Sequence, residues 1–172
     1  TLQRNISLGI KKNFPLIPDA PGNSNIYFGF GNPDTVGYWQ EALLIGDNAG
    51  ENLDTIYRST GIGKLSLGGY LPANSSTYNG KSVESVNVGF LSGGMDSLSY
   101  RSTQIGAYTN AGFVNTNRIN LNGVLIGYAA KSLQVNSVYE TAIGANVTGN
   151  GDSTATIGQT FLKGTYLNGN IN

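Results

Sequence analysis

A short alternating motif recurs along the chain: an apolar or small residue, a variable residue, then Ile, Leu or Val, then Gly. Seven copies end in the pairs Ile45-Gly46, Leu67-Gly68, Val88-Gly89, Ile105-Gly106, Ile126-Gly127, Ile143-Gly144 and Ile157-Gly158. Alternation with a period of two indicates a short β-strand, and a glycine after it indicates a corner that a residue with a Cβ would resist. The pattern therefore predicts a repeated strand and turn.

The spacing of the motif glycines indicates how the repeats connect. Successive glycines lie 14 to 22 residues apart, which is too short for a strand, a helix and a returning strand. We interpret each interval as one coil of an all-β, elongated parallel β-roll or β-solenoid. Within each motif we expect the first and third residues to point into the coil and the middle residue to point outward.

Other stretches complete the predicted organisation. Alternating segments at 98–100, 119–121 and 133–135 are predicted return strands. Residues 1–41 are interpreted as a lead-in with a proline-stiffened connector, residues 42–160 as the repeat domain, and residues 161–172 as a closing strand or a link to further sequence. The chain starts with neither Met nor a signal sequence, so we expect a piece of a longer protein.

Composition limits the partners and the chemistry. Ten basic residues balance ten acidic ones, which makes nucleic acid a poor partner, and no apolar run is long enough to predict membrane insertion. The absence of Cys and His removes disulfides, thiolate metal ligands and imidazole catalysis, and we expect no cofactor. A coil of 14 to 22 residues buries too little alone, so neighbouring coils and other subunits must cover it, and we expect a homotrimer.

The run TAIGANVTGNGDSTATIG at 141–158 resembles the head repeat of trimeric autotransporter adhesins and, equally, the Asn-rich repeats of phage tail fibres. The resemblance is good over 124–160, fair back to Leu43, and absent from the first forty residues. It implies three chains around one axis, a location on a virion or a bacterial surface, and attachment to a host glycan or outer-membrane protein. The longer coils depart from the strict repeat and suggest projecting loops.

Aromatic residues are the best candidates for receptor contacts, because flat rings cover the apolar faces of sugars while polar tips donate hydrogen bonds. The candidates are Tyr38, Trp39, Tyr70, Tyr78, Tyr108 and Tyr128. Three of them follow a motif glycine by one or two residues, which predicts one shared edge of the roll. The same rings would also suit contacts between subunits, and both interpretations stay open.

Enzymatic functions fit the residues less well than attachment. Asp152-Ser153 resembles part of a lipolytic motif, but no His is available to activate the serine. Asp47, Glu51 and Asp54 form the densest acidic group, which suits a solvated loop better than a calcium site or a polysaccharide-degrading spike. We therefore predict no enzyme and no metal; a purely structural fibre shaft is the main rival to attachment, and an ice-binding solenoid is a remote one.

Overall fold

The computed structural model describes residues 6–8, 25–29, 38–50, 53–67, 80–94, 96–110 and 118–158. Regular structure within these ranges consists of fifteen short strands. In chain order they are β1 (Ile6–Leu8), β2 (Ile26–Phe28), β3 (Tyr38–Gln40), β4 (Leu43–Ile45), β5 (Leu53–Tyr57), β6 (Thr60–Ile62), β7 (Gly80–Val83), β8 (Val86–Val88), β9 (Asp96–Tyr100), β10 (Thr103–Ile105), β11 (Arg118–Leu121), β12 (Val124–Ile126), β13 (Asn136–Val138), β14 (Thr141–Ile143) and β15 (Ala155–Ile157). The predicted all-β class is confirmed.

The strands form two sheets, and the chain passes from one to the other in successive coils. The first sheet has nine strands in the order β1-β2-β4-β6-β8-β10-β12-β14-β15, and the second has six in the order β13-β11-β9-β7-β5-β3. The described pairings are parallel and join neighbouring coils, so that Ile105 pairs with Val88 on one side and Ile126 on the other. The described residues form a β-solenoid of about six turns, which confirms the predicted solenoid fold.

The described part of the predicted lead-in, residues 1–41, contains strands of both sheets. Strands β1 and β2 lie within the predicted lead-in, residues 1–41, yet they pair into the first sheet with the repeat strands. The boundary at residue 41 stays a prediction. The predicted closing segment, residues 161–172, lies outside the described residues.

Two of the three predicted return strands are confirmed. Residues 98–100 lie in β9 and residues 119–121 in β11, both in the second sheet. The prediction for 133–135 is wrong, because these residues form bends before β13. The bend is held by a carboxylate, since the backbone N–H of Leu133 donates to Glu140 at 3.1 Å instead of to a strand.

The predicted direction of the motif side chains is wrong. Ile105 is 39% exposed and Ile157 is 52% exposed, whereas the motif predicts that both point into the coil. In most of these strands the middle residue points inward instead, and the buried middle residues are Leu44, Asn87, Gln104, Leu125 and Ala142. The physical reason is the short distance between the two sheets. A two-residue corner joins them, so the interior is narrow and accommodates one inward-pointing residue per short strand.

One predicted repeat is also assigned to the wrong residues. The motif predicts that Leu67 ends a strand, but residues 64–67 form a turn, and Gly68 lies outside the described residues. The strand of this coil is β6, which pairs with β4 and β8 and is followed by Gly63. Leu67 is nevertheless buried, because the turn folds its side chain into the core.

A column of glycines ends the strands of the first sheet. Gly89 and Gly106 have φ values of 132° and 133°, which L side chains rarely adopt. A Cβ on Gly89 would also collide with the carbonyl oxygen of Gly106 in the next coil, and one on Gly106 with that of Gly127. Close stacking of consecutive corners therefore requires glycine for two independent reasons.

The interior changes character along the rod. An apolar cluster that includes Trp39, Leu44 and Ile56 occupies the first coils, and a smaller one around Leu125 and Val147 occupies the last. Between them the interior is polar, with buried hydroxyls hydrogen-bonded to one another within a coil or between neighbouring coils. The serine and threonine pairs are Ser59 with Ser82, Ser85 with Ser102, Ser99 with Ser102, and Ser92 with Thr109. Such satisfied hydroxyls offset part of the desolvation that burial would cost.

Candidate binding surfaces on the solenoid

The corners that follow the glycine column form a rigid edge. Each corner bonds to the one before it through the backbone: the N–H of Tyr108 donates to the carbonyl of Phe90 at 2.8 Å, and the N–H of Ala129 to that of Ala107 at 2.9 Å. The donor residues have φ values of 58° and 51°. Side chains on this edge therefore repeat once per coil along the rod, at about 4.8 Å per step.

Three rings form what we call the aromatic ladder, composed of Phe90, Tyr108 and Tyr128. The centroid of Tyr108 lies 5.1 Å from that of Phe90 and 5.9 Å from that of Tyr128, both in edge-to-face geometry. Tyr108 is 38% exposed and Tyr128 is 54% exposed. The structure thus brings two predicted site residues together on one edge, held by each other and by the backbone below them.

The ladder contains a residue that the sequence analysis missed. Phe90 follows Gly89 directly, in the same way that Tyr128 follows Gly127, so its position after the motif was a usable signal. Phe90 was not predicted because only rings with a polar group were considered as candidates.

The other predicted site residues are not part of this edge. Trp39 is 3% exposed and packs in the first apolar cluster, so its indole offers no binding surface. The backbone of Tyr38 lies in β3, in the second sheet. Tyr70 and Tyr78 lie outside the described residues.

The opposite corners carry alternating charges, in what we call the charged ladder: Glu41, Arg58, Glu84 and Arg101. These residues occupy the first position of the corner between the two sheets in consecutive coils, with φ values from 49° to 54°. Arg58 lies 2.9 Å from Glu41 and 3.9 Å from Glu84, and Arg101 lies 2.7 Å from Glu84. Hydrogen bonds to Glu41 and Glu84 raise the pKa of Arg58 and Arg101, respectively.

The outer side of the first sheet forms an apolar face of two rows. The row next to the glycines consists of Leu8, Phe28, Ile45, Ile62, Val88, Ile105, Ile126, Ile143 and Ile157. The second row consists of Ile6, Ile26, Leu43, Thr60, Val86, Thr103, Val124, Thr141 and Ala155. Neither row contains a charged residue, and the face runs for about 38 Å at about 4.8 Å per strand.

Carboxylates in the described ranges are spread over separate environments. Glu140 is fully buried and accepts hydrogen bonds from the Ser137 hydroxyl at 2.6 Å and the Gly151 N–H at 2.9 Å. Within the described ranges, no three carboxylates come together as they would around a metal ion. The acidic group predicted around Asp47 is described only in part, since Glu51 lies outside these residues.

Comparison with known proteins identifies no relative: no family model, no curated protein and no solved structure matches the chain. Among the described residues, the structure contains no helix long and apolar enough to cross a membrane. The resemblance to fibre and adhesin repeats therefore rests on the repeat residues themselves.

Proposed function

We propose that this chain is a non-enzymatic segment of a fibrous, homotrimeric attachment protein that binds a host-cell surface. A phage tail fibre is our first choice and a bacterial adhesin head our second, so the expected location is a virion or a cell surface. The observation that carries the proposal is the apolar face. A rod with one continuous uncharged side favours burial of that side in an interface. Its other edges then stay exposed and can contact a target.

The apolar face supports assembly from copies of this chain. Exposed apolar patches of this length are rare on monomers and mark interaction sites. Its rows repeat once per strand, and each copy of the chain has the same repeat, so copies side by side match along the rod. We therefore propose that the apolar faces of three chains pack against one another. Ile105 and Ile126 would be buried from solvent in this interface.

The aromatic ladder supports attachment. Its rings are partly exposed, uncharged and held on a stiff backbone, so little side-chain entropy is lost when a ligand covers them. Three parallel copies on a trimer would multiply a weak contact through avidity. The proposed receptor is a host glycan or an outer-membrane protein.

Two measurements on the purified chain test the proposal. Light scattering should give a mass near three times the 18.1 kDa of one chain. Fluorescently labelled chain should adsorb to susceptible cells, and unlabelled chain should compete. A stable monomer would contradict the proposed trimer. Failure to adsorb to any candidate host would contradict the proposed attachment function.

A purely structural shaft is the second candidate, because the regular solenoid itself suits a spacer that carries a distal tip. The two functions differ in what the aromatic ladder does. If Tyr108→Ala and Tyr128→Ala together leave host adsorption and mass unchanged, the receptor contact lies elsewhere on the chain; the shaft replaces the attachment proposal if the parent chain does not adsorb at all. A polysaccharide-degrading spike is a third and weaker candidate, and it predicts new reducing ends when the chain is incubated with capsule.

A further inference from the structure

The aromatic ladder has a definite direction and length. Phe90, Tyr108 and Tyr128 belong to three consecutive coils, so the line through their rings follows the rod axis for about 10 Å, two steps of about 4.8 Å. A ligand that contacts all three rings must extend along the rod. A compact ligand, such as one terminal sugar, covers one ring and leaves the others in water.

The turns that carry the ladder contain no charged residue, and Lys131 follows the turn of Tyr128 directly. The turns at 89–94, 106–110, 127–130 and 144–150 contain no Asp, Glu, Lys or Arg. Lys64 precedes the ladder by one coil on the same edge, and Asp47 precedes Lys64 by another, so the flanking cation has a carboxylate as its neighbour. If an anionic polymer bound along the three rings, its charged groups would lose hydration. They would not each find a cationic side chain to compensate for that loss.

The chemistry of the rings narrows the ligand further. Tyrosine offers an apolar ring with a hydroxyl at its tip, which matches a pyranose with its apolar C–H face and hydroxyl rim. Backbone bonds from coil to coil fix the residues that carry the rings, including the bond from the Asn146 N–H to the Tyr128 carbonyl at 2.7 Å, and edge-to-face contacts hold the rings at 82° and 75° to one another. A preformed row of such rings suits a repeating chain of sugars more than an apolar peptide, which would need a groove.

We propose that the aromatic ladder binds a linear, uncharged polysaccharide along the rod axis. This inference rests on the proposed attachment function and names its ligand class. Binding uses the same edge in each coil, so affinity rises with ligand length until the three rings are covered and then levels off. Because the contacts are uncharged, affinity depends little on salt.

Titration of the full chain with defined oligosaccharides tests the inference. The probes are neutral linear glucan, mannan and galactan oligosaccharides of two to six sugars, with heparin and sialylated oligosaccharides as the anionic arm. We expect one neutral series to bind with affinity that rises with length. Tyr108→Ala and Tyr128→Ala should each weaken it about tenfold, the equivalent of about 1.4 kcal/mol.

Tyr139→Ala is the matched control, since Tyr139 is an exposed tyrosine at the corner between the sheets, away from the ladder. It should leave binding unchanged, and all three variants should keep the parent's thermal midpoint and mass. Three outcomes overturn the inference: binding to anionic probes alone with loss at high salt, equal loss in Tyr139→Ala, or dissociation of the oligomer by Tyr128→Ala. If no probe binds while cells still adsorb the chain, only the ligand class falls; if neither occurs, the attachment proposal falls too.

Discussion

Arg101 donates a hydrogen bond of 2.7 Å from Nε to Oε2 of Glu84, and the two residues occupy the same corner in consecutive coils. With Glu41 and Arg58 they form a column whose charge changes sign at every step. Each guanidinium also lies over the ring of the preceding tyrosine, Arg101 at 4.9 Å from the Tyr100 centroid. Alternating charge stabilises the stacking of these coils, because a like-charged neighbour at one step would repel.

Reversing one charge in this column should destabilise the rod. Glu84→Lys places three cations at consecutive steps and should lower the thermal midpoint, while Glu84→Gln should lower it less. Because these side chains are exposed, salt screens them, so the gap between the two variants should shrink at about 1 M salt, where the Debye length is about 3 Å. A gap that persists in high salt would mean that packing, and not charge, distinguishes the variants.

Replacing a column glycine should be far more damaging than its small size suggests. Gly106→Ala forces a Cβ into a backbone with φ 133° and against the carbonyl of Gly127, and we expect a loss of about 2 kcal/mol or more. Ala129→Gly is the control, because Ala129 has φ 51° and glycine should relieve that strain and stabilise slightly. Urea unfolding at one fixed chain concentration measures both. Equal stability of Gly106→Ala and the parent would contradict the close stacking of the corners.

The buried carboxylate of Glu140 should be important for the last coils. It accepts hydrogen bonds from the Leu133 and Gly151 N–H groups and the Ser137 hydroxyl. In Glu140→Gln the side-chain NH2 group would face other hydrogen-bond donors. The substitution should lower the free energy of unfolding by about 2 to 3 kcal/mol. Asp152→Asn is the matched control: Asp152 accepts one bond from the Val138 N–H in an exposed position, so its loss should be smaller. A similar loss in both variants would show that burial of Glu140 is not what matters.

A charge on the apolar face should separate the subunits without unfolding the coil. Ile105→Arg places a cation in the middle of the proposed interface, and light scattering should show a shift from trimer towards monomer. Leu133→Arg provides the comparison, since Leu133 is an exposed apolar residue outside the two rows. Its mass should stay that of the parent. Dissociation by Leu133→Arg alone would move the interface away from the first sheet.

Much of the architecture was readable from the chain. Repeated alternation followed by glycine predicted short strands and tight corners, and the spacing of 14 to 22 residues predicted coils in place of helical crossovers. Both follow from local backbone preferences that the residues carry with them. Tyr108 and Tyr128 each follow a motif glycine by one or two residues. This spacing is visible in the sequence, so their shared edge could be predicted.

Other features exist only once the coils are stacked. A period of two separates Gln104 from Ile105 but does not say which side is inside, and the narrow interior between the sheets decides that Gln104 is buried. The pairing of Arg58 with Glu84, 26 residues apart in the chain, likewise depends on how long a loop each coil accommodates. Alternation is a property of the strand, whereas the choice of face depends on the space that the neighbouring coils leave.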